Sequence, residues 1–136
     1  MYNYLDAVVN QEVSRVDGIK IDPELVYHII RSLARCTASM ATNEIIEKDL
    51  RRENHKRGSI DIENCINALK RIHVIDDLPA WNSTVRSKTR IRTHAPRHFC
   101  DPSIASAALR MDQHSLLTDF NTVGLLFESL CVRDLR

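Results

Sequence analysis

Asn64, Asn67, Lys70 and Arg71 fall on one polar face of a segment, 61–72, whose other face carries Ile62, Cys65, Ile66, Leu69 and Ile72. An asparagine amide can pair with an adenine edge, and lysine or arginine can meet base edges or phosphates. A second group follows at Arg86, Lys88, Arg90, Arg92 and Arg97, with no acid between 86 and 98. A third, Arg51, Arg52, Lys56 and Arg57, precedes the helical segment. Local clusters of this kind attract phosphates even in a chain whose net charge is only +1. The chemistry implied is contact with double-stranded DNA. A polar face mixing Asn, Lys and Glu63 is also what any solvated helix presents. A docking or spacer role without nucleic acid therefore stands beside the DNA reading.

Other chemistries lack their residues. The three glycines, Gly18, Gly58 and Gly124, form neither a phosphate-binding loop nor a dinucleotide fingerprint. Neither G-x-S-x-G nor H-E-x-x-H occurs. His94 and His98 have the spacing of helical zinc ligands, but Pro96 lies between them and forbids a regular helix. With Cys100 they still lack a fourth ligand, so they read as solvated or packing side chains. Catalysis, cofactor and metal are not expected in this chain. Trp81, after Pro79, reads as packing beneath the adjoining loop. The four cysteines never form C-x-x-C; their count allows two disulfides, but such dispersal reads as buried thiols.

The elements that would position these residues follow from periodicity and caps. Tyr4, Leu5, Val8, Val9, Val13 and Val16 predict a helix over 4–16, ended by Asp17-Gly18. Asp22-Pro23-Glu24 opens a second helix with Leu25, Val26, Ile29, Ile30, Leu33 and Ala34 inward. Thr42 or Asn43 caps a third, with Ile45, Ile46 and Leu50 apolar, and Asp61 caps a fourth over 61–72. A short strand at 73–78, a loop over 79–96 and a returning strand at 97–100 come next. Asp101-Pro102 starts another helix with Ile104, Ala105, Ala108, Leu109 and Met111. Asp119 or Asn121 caps the last, with Val123, Leu126, Phe127, Leu130 and Cys131 apolar. It reaches Arg136 without a stop signal, which predicts continuation into a larger protein.

A chain of 136 residues with 43% hydrophobic and 27% charged residues has the balance of one soluble domain. Aromatic residues are only 5%, which favours helices over a β-sandwich. No apolar run approaches the roughly 18 residues of a membrane span. The first fifteen residues carry acids and lack the apolar centre of a signal peptide, so a cytoplasmic chain with no membrane partner is expected.

Three helices followed by two strands around a loop is the order of a winged helix, a helix-turn-helix variant. The expected fold is therefore mainly α: a winged helix at 22–100, with 61–72 as recognition helix and 74–100 as a two-stranded wing. An N-terminal helix and linker, 1–21, and C-terminal helices, 101–136, flank it.

Several motifs carry a family likeness. They are Tyr4-Leu5-x-x-x-Val9 leading to Val16-Asp17, then Arg97-His98-Phe99-Cys100-Asp101-Pro102-x-Ile104-Ala105, then Gly124-x-x-Phe127-Glu128 with Leu135 beyond. This order resembles the C-terminal region of a large group of bacterial and archaeal AAA-type ATPases, a region named as a domain of unknown function. Arg97 stands where that group prefers Lys, and Ser103-Ile104 where Gly-Leu is usual. The resemblance implies a parent protein with an N-terminal P-loop module that binds ATP and Mg, then a winged helix, then a nuclease-like fold. It aligns Glu128 with a glutamate that assists metal binding in related nuclease folds. The carboxylates and lysine that would complete such a site lie beyond Arg136, so Glu128 reads here as an exposed helix acid. The expected function is that of a non-catalytic module that binds DNA or relays ATPase state, with the missing ATPase module as partner. A protein docking module is the alternative, and a free-standing transcriptional regulator the third reading.

Overall fold

Asp22 opens the helix on which the other elements are assembled. Its Oδ1 accepts the Glu24 amide at 3.1 Å, and Pro23 occupies the first helical position, where a missing N–H costs nothing. The computed structural model describes residues 2–16, 18, 20–55, 58–79 and 95–135. Seven helices and one two-stranded antiparallel sheet occur among them. The first helix, α1, covers 2–15 and contains a π turn at Val8–Glu12, where the Val13 amide reaches back to the Val8 carbonyl. Then come α2 (Pro23–Arg35), α3 (Asn43–Arg52) and α4 (Ser59–Arg71). Strands β1 (Ile75–Asp77) and β2 (Arg97–Phe99) pair in the register Ile75–Phe99, Asp76–His98 and Asp77–Arg97. The chain closes with α5 (Pro102–Ala108), α6 (Gln113–Thr118) and α7 (Phe120–Asp134).

The apolar face expected of α2 is buried at all six positions, from Leu25 to Ala34. It packs against α1, α3, α4 and α5, while α7 lies on α5, α6 and β2. One apolar cluster runs from Leu5 in α1 to Leu126 in α7, so both flanking segments share the core of the central helices. Several expected core residues lie outside it: Tyr4, Ile45 and Phe127 are exposed, and Val16, Met111, Val123, Leu130 and Cys131 are half-buried.

Helix starts follow the sequence closely. Asp101 Oδ1 accepts the Ser103 amide at 2.9 Å, and Asp119 Oδ1 accepts the Thr122 amide at 3.1 Å. One start differs: α4 begins after Gly58, so Asp61 lies in its first turn instead of capping it. There its charge still favours the positive end of the helix dipole. A further helix, α6, starts at Asp112, whose Oδ1 accepts the Ser115 amide at 2.7 Å; no sequence expectation covered it.

Candidate nucleic-acid interface

Of the side chains expected to contact DNA, Asn64, Asn67, Lys70 and Arg71 are held by α4, Arg51 and Arg52 by the end of α3, and Arg97 by β2. On α4, Asn67 and Arg71 are exposed and Asn64 is half-buried. The exposed surface also carries Ile60, 74% exposed, and Glu63, which dilute its polar and cationic character.

Lys70 is engaged within the protein. Its Nζ donates to Asp77 Oδ2 at 2.5 Å, from the last turn of α4 across to β1. The same carboxylate faces Arg97 on β2, whose Nε lies 3.5 Å from Asp77 Oδ1. Arg97 also donates through Nη2 to Asn43 Oδ1 at 3.0 Å, which ties β2 to the start of α3. One aspartate thus neutralises two of the cations that sequence spacing assigned to the DNA-facing side. Register explains why: Asp77 and Arg97 are directly opposed in the antiparallel pair, where opposite charges attract.

The cations before α4 are also partly neutralised. Arg51 pairs with Glu47 at 2.5 Å and Arg52 lies 3.8 Å from Asp49. Lys56 and Arg57 lie outside the described residues, as do Trp81, Arg86, Lys88, Arg90, Arg92 and His94.

A third segment joins the two strands. Ser39, in the connection between α2 and α3, makes an isolated antiparallel bridge to Arg97. The Arg97 amide donates to the Ser39 carbonyl at 3.2 Å, and the Ala38 amide donates to the Arg97 carbonyl at 3.1 Å. Strand β2 is therefore flanked by β1 on one side and by residue 39 on the other.

His98 is buried. Its Nδ1 lies 3.2 Å from Ser129 Oγ on α7, and Nε2 has no hydrogen-bond partner among the described residues. Burial disfavours the imidazolium and lowers its pKa, against the opposing pull of Glu128. Glu128 itself is exposed on α7. The four cysteines are free thiols; Cys65 is buried, with its pKa pushed up to about 12 by desolvation, and the other three are half-buried. Burial of the thiols is thus less complete than the sequence implied.

Sequence reading passed over one polar cluster. Glu24 and His28 on α2 face Glu53 and His55 at the end of α3, with His28 Nδ1 only 2.6 Å from Glu53 Oε2. The one signal in the sequence was the i, i+4 spacing of Glu24 and His28.

The family model of a domain of unknown function, DUF8612, matches residues 1–115. The chain belongs to this family. The matched region takes in α1 to α5, both strands and the start of α6, and leaves α7 outside. No curated protein and no solved structure matches the chain. No helix among the described residues is long and apolar enough to cross a membrane.

Proposed function

We propose that residues 22–100 are a winged-helix module that contacts double-stranded DNA, within a larger AAA-type ATP-binding protein of the cytoplasm. The observation that carries the winged-helix reading is the bridge from Ser39 to Arg97. It places a third strand segment, from between the first two helices of the module, beside the two strands of the wing. On this reading α4 is the recognition helix and the segment between β1 and β2 is the wing. Asn67 and Arg71 are exposed on α4. Arg86, Lys88, Arg90 and Arg92 follow the phosphates, which position the protein without reading sequence. Asn64 lies half-buried at the edge of this face. Lys70 reaches DNA only by leaving Asp77. On this reading the module's part is binding, and ATP and Mg belong to the parent protein's nucleotide module, as the motif resemblance implies.

Fluorescence anisotropy on a random duplex at several salt concentrations tests the DNA contact. Replacing Arg90 and Arg92 together by Ala should weaken binding to every duplex alike and reduce the salt slope by about two, at about 0.9 per phosphate contact. Replacing Asn67 by Ala should alter sequence preference more than the slope. No binding at low salt, or an unchanged slope in the double variant, would reject the DNA reading.

A protein docking role is the second reading, favoured by a different face. Along α5, α6 and α7 runs a groove of about 540 Å³, bordered by Leu117, Phe120 and Phe127. These three side chains are 71%, 77% and 62% exposed, a concentration of apolar surface of the kind that marks interaction sites.

A further inference from the structure

The packing of α2 on α3 brings together ionisable side chains that the DNA reading does not use. Glu24 and His28 stand one turn apart on α2 and so share a face. His55 arrives from the stop of α3, where Asn54 takes the left-handed conformation at φ 63°. The His55 amide then bonds the Leu50 carbonyl at 2.9 Å and the Asn54 amide bonds that of Arg51 at 3.2 Å. This Schellman pattern fixes the backbone from which the imidazole projects. One donor atom each from Glu24, His28 and His55 lies within 4.8 Å of the others. The two imidazole rings are 4.0 Å apart between centroids and tilted by 40°.

Glu53 gives this group its orientation. Its Oε1 accepts from Arg35 at 2.6 Å and its Oε2 lies 2.6 Å from His28 Nδ1. An ionised carboxylate can only accept, so Nδ1 is the donor in this contact and Nε2 is the ring atom through which a metal would bind once it carries no proton. A histidine held through one ring nitrogen by a carboxylate is the arrangement that metal ligands adopt.

We propose that Glu24, His28 and His55 bind a divalent transition-metal ion, zinc being the best match, with Glu53 as the positioning residue and a fourth coordination position left to water. Two imidazoles and one carboxylate suit zinc and its neighbours in the first transition row better than calcium or magnesium, which take oxygen ligands. Bonds of about 2.0–2.2 Å require the donors to close to roughly 3.3–3.6 Å of one another. Glu24 is exposed and can supply that movement. The ion would clamp the start of α2 to the turn after α3, from which the chain proceeds to α4.

The test uses zinc alone, titrated into the full chain with a competing chromophoric chelator and a non-thiol reductant. One zinc should bind per chain and, at a hundredfold excess over Kd, raise Tm by roughly 5–10 °C. Replacing His28 and His55 together by Ala should abolish both effects, and Glu53→Gln should weaken zinc tenfold to hundredfold. X-ray absorption should find imidazole and oxygen neighbours with no sulfur. Absence of zinc uptake, uptake that survives the double substitution, or sulfur in the coordination shell would overturn the proposal. Should the double variant not fold, His55→Gln, in a half-buried turn, decides by the same loss of uptake.

Discussion

Glu53 and Asp77 are each a single carboxylate gripping two basic side chains, and they do so to opposite effect. Asp77 joins Lys70 to Arg97 across the end of α4 and the strand pair. Both partners offer only donors, and the cluster holds them within the fold. Glu53 joins Arg35 to His28. One partner there is an imidazole with a second nitrogen, and that side chain lies beside Glu24 and His55. Charge on a helix face is therefore a poor guide to binding until its internal partners are known. Helical spacing places Lys70 on the polar face of α4, yet its partner is Asp77; His28, which carries no motif, is oriented by Glu53.

Removing Asp77 should produce the largest effect of the four changes that separate these clusters. Arg97 is mostly buried, its side chain 16% exposed, and its Nη1 already lacks a hydrogen-bond partner among the described residues. Asp77→Ala leaves that guanidinium with only the Asn43 bond on its described partners and should destabilise the fold by about 2 kcal/mol, less than a fully buried pair would cost. Chemical denaturation would measure it. The same variant frees Lys70 towards solvent, so duplex affinity per folded molecule should rise if α4 faces DNA. Unchanged stability would show that the pair is only a surface contact.

At the other cluster the effect should be smaller and tied to pH. The hydrogen bond from Arg35, against a desolvation that acts the other way, and then that from His28 hold the Glu53 carboxyl below its ordinary range. A carboxyl depressed in the folded state adds stability above its unfolded value, about 4.3, and loses it as pH falls through the folded value. Glu53→Gln should therefore cost about 1 kcal/mol at pH 7, given that Arg35 is 41% exposed and screened. The gap between the two proteins should close as pH drops below the unfolded value. A gap constant from pH 7 to pH 3 would mean that the glutamate acts through packing alone.

Much of the architecture was legible because helix starts are written in local chemistry. Asp22, Asp101 and Asp119 all cap through side-chain oxygens, as their positions before the apolar stripes implied. Helix ends were less so. Three helices stop at left-handed residues that are not glycine: Asn54, His73 and Arg110, at φ 63°, 56° and 55°. Nothing in a histidine or arginine announces that conformation, so the sequence predicts a helix to 72 and a strand from 73, whereas α4 ends at Arg71 and β1 starts at Ile75. The missed α6 has only Leu116 and Leu117 as apolar signal, too little for a stripe. The candidate sites divide along the same line. The polar face of α4 follows from helical spacing, and so does the Glu24–His28 pair. The partners that decide their roles, Asp77 for Lys70 and Glu53 for His28, come from other elements. Only the packing of α2 on α3 and the register of β1 on β2 bring them into reach.

The helix stops themselves offer the finest contrast between the two clusters. Glu53 is the last residue before the left-handed Asn54, and Asp77 follows the left-handed His73 by four residues. Both turns have the same hydrogen bonds: His55 to Leu50 and Asn54 to Arg51 after α3, Val74 to Leu69 and His73 to Lys70 after α4. Asparagine tolerates the left-handed region through its short polar side chain, whereas histidine meets more of the steric cost, which is roughly 1–2 kcal/mol for ordinary residues. Glycine removes that cost but loses more backbone entropy on folding. His73 is exposed, so its side chain adds little packing. His73→Gly should accordingly stabilise the protein by about 0.5–1 kcal/mol, and Asn54→Gly should change stability by no more than a few tenths of that unit. Thermal unfolding of the two variants measures both. If Asn54→Gly proved the more stabilising, the turn that carries His55 would be the strained one, and the rigid placement argued for that imidazole would fail.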